Sequence, residues 1–210
     1  MNPTEIDAEP DAMFEVDVMK MAYVVEGAMA GLALLIGWFG FYDQQQPLNS
    51  IDTAVVRRAL IWGSLGTIPM LGYLVVVHFW PVGILRDMRK FVDEHMVQIF
   101  QDLKIWHFVI ISLLAGFCEE IFFRWCLQGG IASWIGGNAG VITGLVVASV
   151  VFGVCHWVNF SYAVCTTIVG FYLGAMMIYS GTWLAPAITH ALFDFVALLY
   201  IVNKPRPAKV

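Results

Sequence analysis

Six apolar stretches follow one another along the chain, each near the ~20 residues needed to cross a hydrocarbon layer. They run 22–42, 59–80, 105–127, 140–157, 163–179 and 183–202. Short polar connections separate them, and no internal repeat is visible. The pattern predicts an all-α, polytopic integral membrane protein with about six transmembrane helices. Residues 81–104 depart from it. There Ile84, Leu85, Met88, Phe91, Val92, Met96, Ile99 and Phe100 recur at intervals of three and four among Arg86, Asp87, Arg89, Lys90, Asp93, Glu94 and Asp102. That spacing predicts an amphipathic helix lying at the membrane surface.

Composition agrees with the pattern. Apolar residues make up 60% of the 210 positions and charged residues 13%, about half the usual ~25%. So small a soluble globule has too little interior for this much apolar surface. A soluble enzyme, a disordered chain and a nucleic-acid binder are excluded. The lipid bilayer is the expected partner.

The location of charge says more than its sum. Glu5, Asp7, Glu9, Asp11, Glu15 and Asp17 crowd the first 20 residues beside a single cation, Lys20. Residues 1–20 therefore read as an acidic tail, without the basic start and cleavage site of a secretory signal. Residues 21–203 read as one transmembrane domain and residues 204–210 as a short basic tail. With six spans, Lys20, Arg86, Arg89, Lys90, Lys104, Lys204, Arg206 and Lys209 fall on one side, and only Arg57 and Arg58 on the other. The excess of Lys and Arg marks the cytoplasmic side, so both termini are expected there. The four cysteines form no CxxC pair and read as small apolar residues.

Ionisable groups inside spans are costly and mark functional sites by default. They gather in the C-terminal half: Glu119, Glu120 and Arg124, then His156, then His190 and Asp194. Glu120 and Arg124 are four apart and share a helix face, so they can pair. Glu119 is rotated by about 100° from its neighbour and, in a poorly solvated place, is a candidate general base. Phe152 and His156 share a face, as do His190 and Asp194, where the carboxylate can orient the imidazole. Glu26, His78 and His107 read as structural or interfacial. Seven tryptophans, Trp38, Trp62, Trp80, Trp106, Trp134, Trp157 and Trp183, lie near span ends, as belt residues do.

These groups fit water activation by a carboxylate. They also fit a zinc site built from Glu, His, His and Asp, or a proton relay for transport. No HExxH or GxSxG occurs, and the halves of the chain do not match as transporter repeats do.

The motifs EEIFFR (119–124), FGVCH (152–156) and HALFD (190–194), in that order on three spans, resemble the EExxxR, FxxxH and HxxxN/D motifs of the CAAX protease and bacteriocin-processing family. That family, also called Abi, contains intramembrane glutamate proteases. The resemblance covers about 105–200, which it implies is the catalytic core. It implies an endopeptidase of the bacterial inner membrane acting on a membrane-associated protein or peptide, with no cofactor. A zinc-dependent protease and a non-catalytic scaffold or immunity protein are its alternatives. Glu119 would activate water with His156. His190 and Asp194 would position water or stabilise the oxyanion, and Glu120, Arg124 and Phe152 would support them. The prenyl-protein branch has Asn where this chain has Asp194.

One geometric question arises. Glu119 lies about 14 residues, or about 21 Å, above the cytoplasmic start of its helix, yet His156 is near the cytoplasmic end of its own. Helix tilt, or extension of the fourth span past Trp157, is expected to bring them together. The glycine-rich link 129–140 is a candidate re-entrant segment.

Overall fold

The computed structural model describes residues 17–204, all helix and loop. The carboxylates at 5–15 and the last six residues lie outside the described residues. Among the described residues, six helices are long and apolar enough to cross a membrane. They are α1 (Val18–Trp38), α2 (Thr53–Phe79), α4 (Ile105–Ile135), α5 (Gly137–Cys155), α6 (Phe160–Ser180) and α7 (Leu184–Asn203). The amphipathic helix α3 occupies 84–100 and is wound as a π-helix over Val92–Met96. The all-α membrane architecture read from the hydropathy pattern is thus observed. The protein is an integral membrane protein.

Cap chemistry sets several of the ends. Asp17 accepts from the Lys20 amide and starts α1, so residues 18–20 belong to the first helix rather than to the tail. Asp52 caps α2 through the Val55 amide, and Asn159 caps α6 through the Tyr162 amide. α2 therefore begins six residues before the hydropathy pattern indicated; a good cap recruits polar residues such as Arg57 and Arg58 into the first turns.

The glycine-rich link is not re-entrant. Gly129–Ile135 completes α4, and the turn is confined to Gly136 and Gly137. Both have positive φ, 77° and 58°, a conformation that glycine adopts without steric cost.

α4 and α5 then run antiparallel with unequal lengths, 31 against 19 residues. A Cβ on Gly144 would come within 2.4 Å of the Gln128 carbonyl. Further along, the Phe123 and Phe152 rings meet edge to face at 5.0 Å. His156, at the end of α5, arrives opposite Glu119 near the middle of α4. The motifs meet because α5 is short, not because it extends past Trp157.

α7 crosses the same stretch of α4 from the other side. A Cβ on Gly116 would lie 2.6 Å from the Ala191 nitrogen and 2.8 Å from the Ala187 carbonyl. Small residues thus let the two backbones touch, as in many membrane helix pairs. α3 packs against α6, where Ser161 Oγ donates to Asp87 at 3.3 Å. It is tied to α7 by Lys204, whose Nζ lies 2.7 and 2.8 Å from the two Asp93 oxygens. The loop after α1 folds over α4, with Asp43 donating its amide to the Trp125 carbonyl and Gln46 accepting from the Trp125 indole and the Trp183 amide. Burial holds the Asp43 carboxyl above the usual carboxylate range. Trp183 is consequently buried, a correction to its place in the aromatic belt, while the other six belt tryptophans are exposed.

Candidate functional site

The polar residues of three separated motifs converge on one stretch of α4. That stretch is wound wide, as π-helix over Ala115–Glu119 and again over Ile121–Gln128. Such bulges recur at functional sites. Wide winding reduces the angle between successive side chains, and here the adjacent carboxylates serve two different helices. Glu119 Oε2 lies 3.7 Å from His156 Nε2 at the end of α5. Glu120 Oε1 lies 3.1 Å from His190 Nδ1 on α7.

Glu120 and Arg124 are both fully buried, with Arg124 Nε 2.7 Å from Glu120 Oε2. The contact is an ion pair bent away from hydrogen-bond geometry, and the guanidinium nitrogens have no acceptor among the described residues. The guanidinium instead lies over the Phe152 ring, 5.1 Å from its centroid, a cation–π contact that strengthens when desolvated. Phe152 thereby supports Arg124 while its own carbonyl fixes His156. That carbonyl lies 2.8 Å from His156 Nδ1. A carbonyl only accepts, so Nδ1 carries a proton and Nε2 is the nitrogen presented to Glu119.

His190 is held from two sides. Its Nδ1 faces Glu120, and its Nε2 faces Asp194 Oδ2 at 3.4 Å, one turn along the same helix. Glu119, His156, His190, Asp194 and Phe152 all line one cavity of about 350 Å³. Glu120 and Arg124 stand behind that wall. The cavity runs between α2, α3, α6 and α7, with mostly apolar walls. At its far end sit Arg89, Asp93, Lys204, His78 and Tyr200. Tyr200 hydrogen-bonds His78, and Arg89 donates to the His78 carbonyl. His78 is thus held on both its ring and its backbone carbonyl at that end of the cavity. His107 accepts from the Lys104 amide and closes the start of α4.

Glu26 is the residue that spacing did not place here. It stands alone in an apolar helix, with no partner at three or four positions. α1 packs along α4, and the ionisable groups acting most strongly on Glu26 are Glu119, His190, His156 and Asp194. The signal available was its cost: a carboxylate within a span is expensive wherever it sits.

All four cysteines are free. Among the described residues, no group of three or more His, Cys, Asp or Glu side chains is arranged to hold a metal ion.

Fold and site together define a polytopic helical membrane protein with a carboxylate–histidine cluster enclosed between its spans. Residues 101–196 match the model of the Rce1-like family, described as type II CAAX prenyl endopeptidase Rce1-like. This segment carries all three motifs, and the family resemblance drawn from them is shown. The chain is also similar to the uncharacterized protein YpbD of Bacillus subtilis (strain 168). The two are 28% identical over 172 residues, 78% of this chain and 79% of the relative. No solved structure gives a significant match.

Proposed function

We propose that the protein is an intramembrane endopeptidase in which Glu119 activates water to hydrolyse a peptide bond of a membrane-associated protein or peptide. The observation that carries this is the pairing of Glu119 with His156 Nε2 on the wall of a largely apolar cavity. The match of residues 101–196 to an endopeptidase family supports it. A water held between Glu119 and His156 loses a proton to Glu119 as its oxygen bonds to the scissile carbonyl carbon. The carbonyl oxygen takes up the charge, and His190, oriented by Asp194, shares its Nε2–H between that carboxylate and the oxyanion. Collapse breaks the C–N bond, and Glu119 returns the proton to the departing nitrogen. Glu120 and Arg124 hold this arrangement from behind, and Phe152 holds it from the cavity wall. The chemistry needs no metal. The buried guanidinium of Arg124 adds positive charge beside the cluster, which disfavours a divalent cation.

Asp194 distinguishes this mechanism from a zinc one. If Asp194 orients His190 by accepting its N–H, Asn accepts as well, and Asp194→Asn retains substantial activity. Cleavage assays in liposomes, with folding checked by thermal melting, read the outcome. A loss as deep as that of Glu119→Gln would make Asp194 a metal ligand or the base itself.

The site is proposed to lie in a bacterial cell membrane, in keeping with the Bacillus relative, with both chain ends in the cytoplasm. Eight cations on that side against Arg57 and Arg58 on the other support this orientation. A reporter fused after Val210 is expected to be active only in its cytoplasmic form. Activity confined to the outer side would overturn the placement of both chain ends in the cytoplasm.

A further inference from the structure

The charges of the site do not balance. Four carboxylates, Glu26, Glu119, Glu120 and Asp194, face three groups able to carry positive charge, Arg124, His156 and His190. Each cation has its carboxylate: Arg124 has Glu120 at 2.7 Å, His156 has Glu119 at 3.7 Å, and His190 has Asp194 at 3.4 Å. Even with both imidazoles protonated, one carboxylate is left over. Glu26 is that carboxylate. Its Oε2 is buried and makes no hydrogen bond among the described residues. The titratable groups facing it are Glu119 and Cys118 on α4, His156 at the end of α5, and His190 and Asp194 on α7. Among the described residues, the groups acting most strongly on it include no Lys or Arg.

A lone carboxylate ion away from water costs several kcal/mol and escapes that cost by taking up a proton. We propose that Glu26 is a positioning residue of the site: it holds a proton in the active state, and loss of that proton sets the alkaline limit of cleavage. While Glu26 is neutral the cluster balances, and Glu119, paired with His156, is its unprotonated base. Once Glu26 ionises, an uncompensated negative charge acts on Glu119 and His190, and the negative transition state that forms between them is disfavoured. The consequence for rate rests on the endopeptidase mechanism above. The proton on Glu26 does not.

The test uses the full chain in lipid vesicles and two measurements. Infrared difference spectra at pH 7 are expected to show the carbonyl stretch of a protonated carboxylic acid in the wild type and its loss in Glu26→Gln. The same band is expected to vanish as the wild-type protein is titrated to alkaline pH, a measurement that requires no variant. A band unchanged in Glu26→Gln, or absent from the wild type, would overturn the proposal. In cleavage assays, the wild-type alkaline limb is expected to follow the band and to move up by at least one pH unit in Glu26→Gln. A limb that stays in place would show Glu26 to be structural only. A wild-type protein that has the Glu26 band and cleaves nothing would refute the peptidase mechanism, and with it the alkaline-limit role, while leaving the proton on Glu26 established.

Discussion

Glu119→Gln is expected to abolish cleavage. The substitution keeps the shape of the side chain and its place opposite His156 Nε2, but an amide cannot take a proton from water. General-base catalysis contributes about 10²–10⁴-fold, so activity should fall by at least that range while the melting temperature holds. Single-turnover cleavage in liposomes separates this from weakened binding: the chemical step slows and the substrate concentration for half-saturation changes little. Full activity in Glu119→Gln would end the assignment of Glu119 as the base. A protein acting only as a scaffold would keep its cellular role in the variant.

Arg124→Leu is expected to be the most destabilising single change in the molecule. Arg124 and Glu120 have no exposed side-chain surface, and removing the cation leaves Glu120 buried beside His190 alone. Breaking one side of a buried ion pair costs about 3–5 kcal/mol. Thermal or denaturant unfolding in detergent should show that loss. The double variant Glu120→Leu/Arg124→Leu should recover much of it, because no charge is then stranded. Activity should return in neither, since the double variant releases His190 Nδ1 from its acceptor. A single variant within ~1 kcal/mol of wild type would mean that the pair is dispensable to the fold.

Much of this architecture can be read from the chain because the bilayer imposes a simple rule. About twenty apolar residues make a span, and the six spans are found within a few residues of their hydropathy limits, apart from α2 and the end of α4. The pairing of Glu120 with Arg124, and of His190 with Asp194, follows from a spacing of four on a helix. What is not legible depends on contacts between distant segments. Nothing local says that α5 is short enough to bring His156 level with Glu119, or that Gly116 lets α7 touch α4. π-winding has no composition signature, so the narrowed angle between the two adjacent glutamates is not foretold by regular α-helix geometry. Trp183 looks like a belt residue until the loop after α1 closes over it. Glu26 enters the site from a helix more than 90 positions away in sequence, and a residue without a periodic partner leaves only its cost as a clue.

The mismatch between α4 and α5 also shapes the surrounding lipid. α5 turns a valine-rich stripe outward, Val146, Val150 and Val154, and the corner that follows exposes Trp157, Val158 and Phe160. That corner stands level with the middle of α4, where a Trp would anchor the headgroup region. A hydrophobic wall that stops early is accommodated by local thinning, at fractions of a kcal/mol per Å. The bilayer surface is therefore expected to dip beside His156, which would bring headgroups and water toward the site. Cleavage is accordingly expected to run faster in vesicles of short-chain lipid than in vesicles of long-chain lipid.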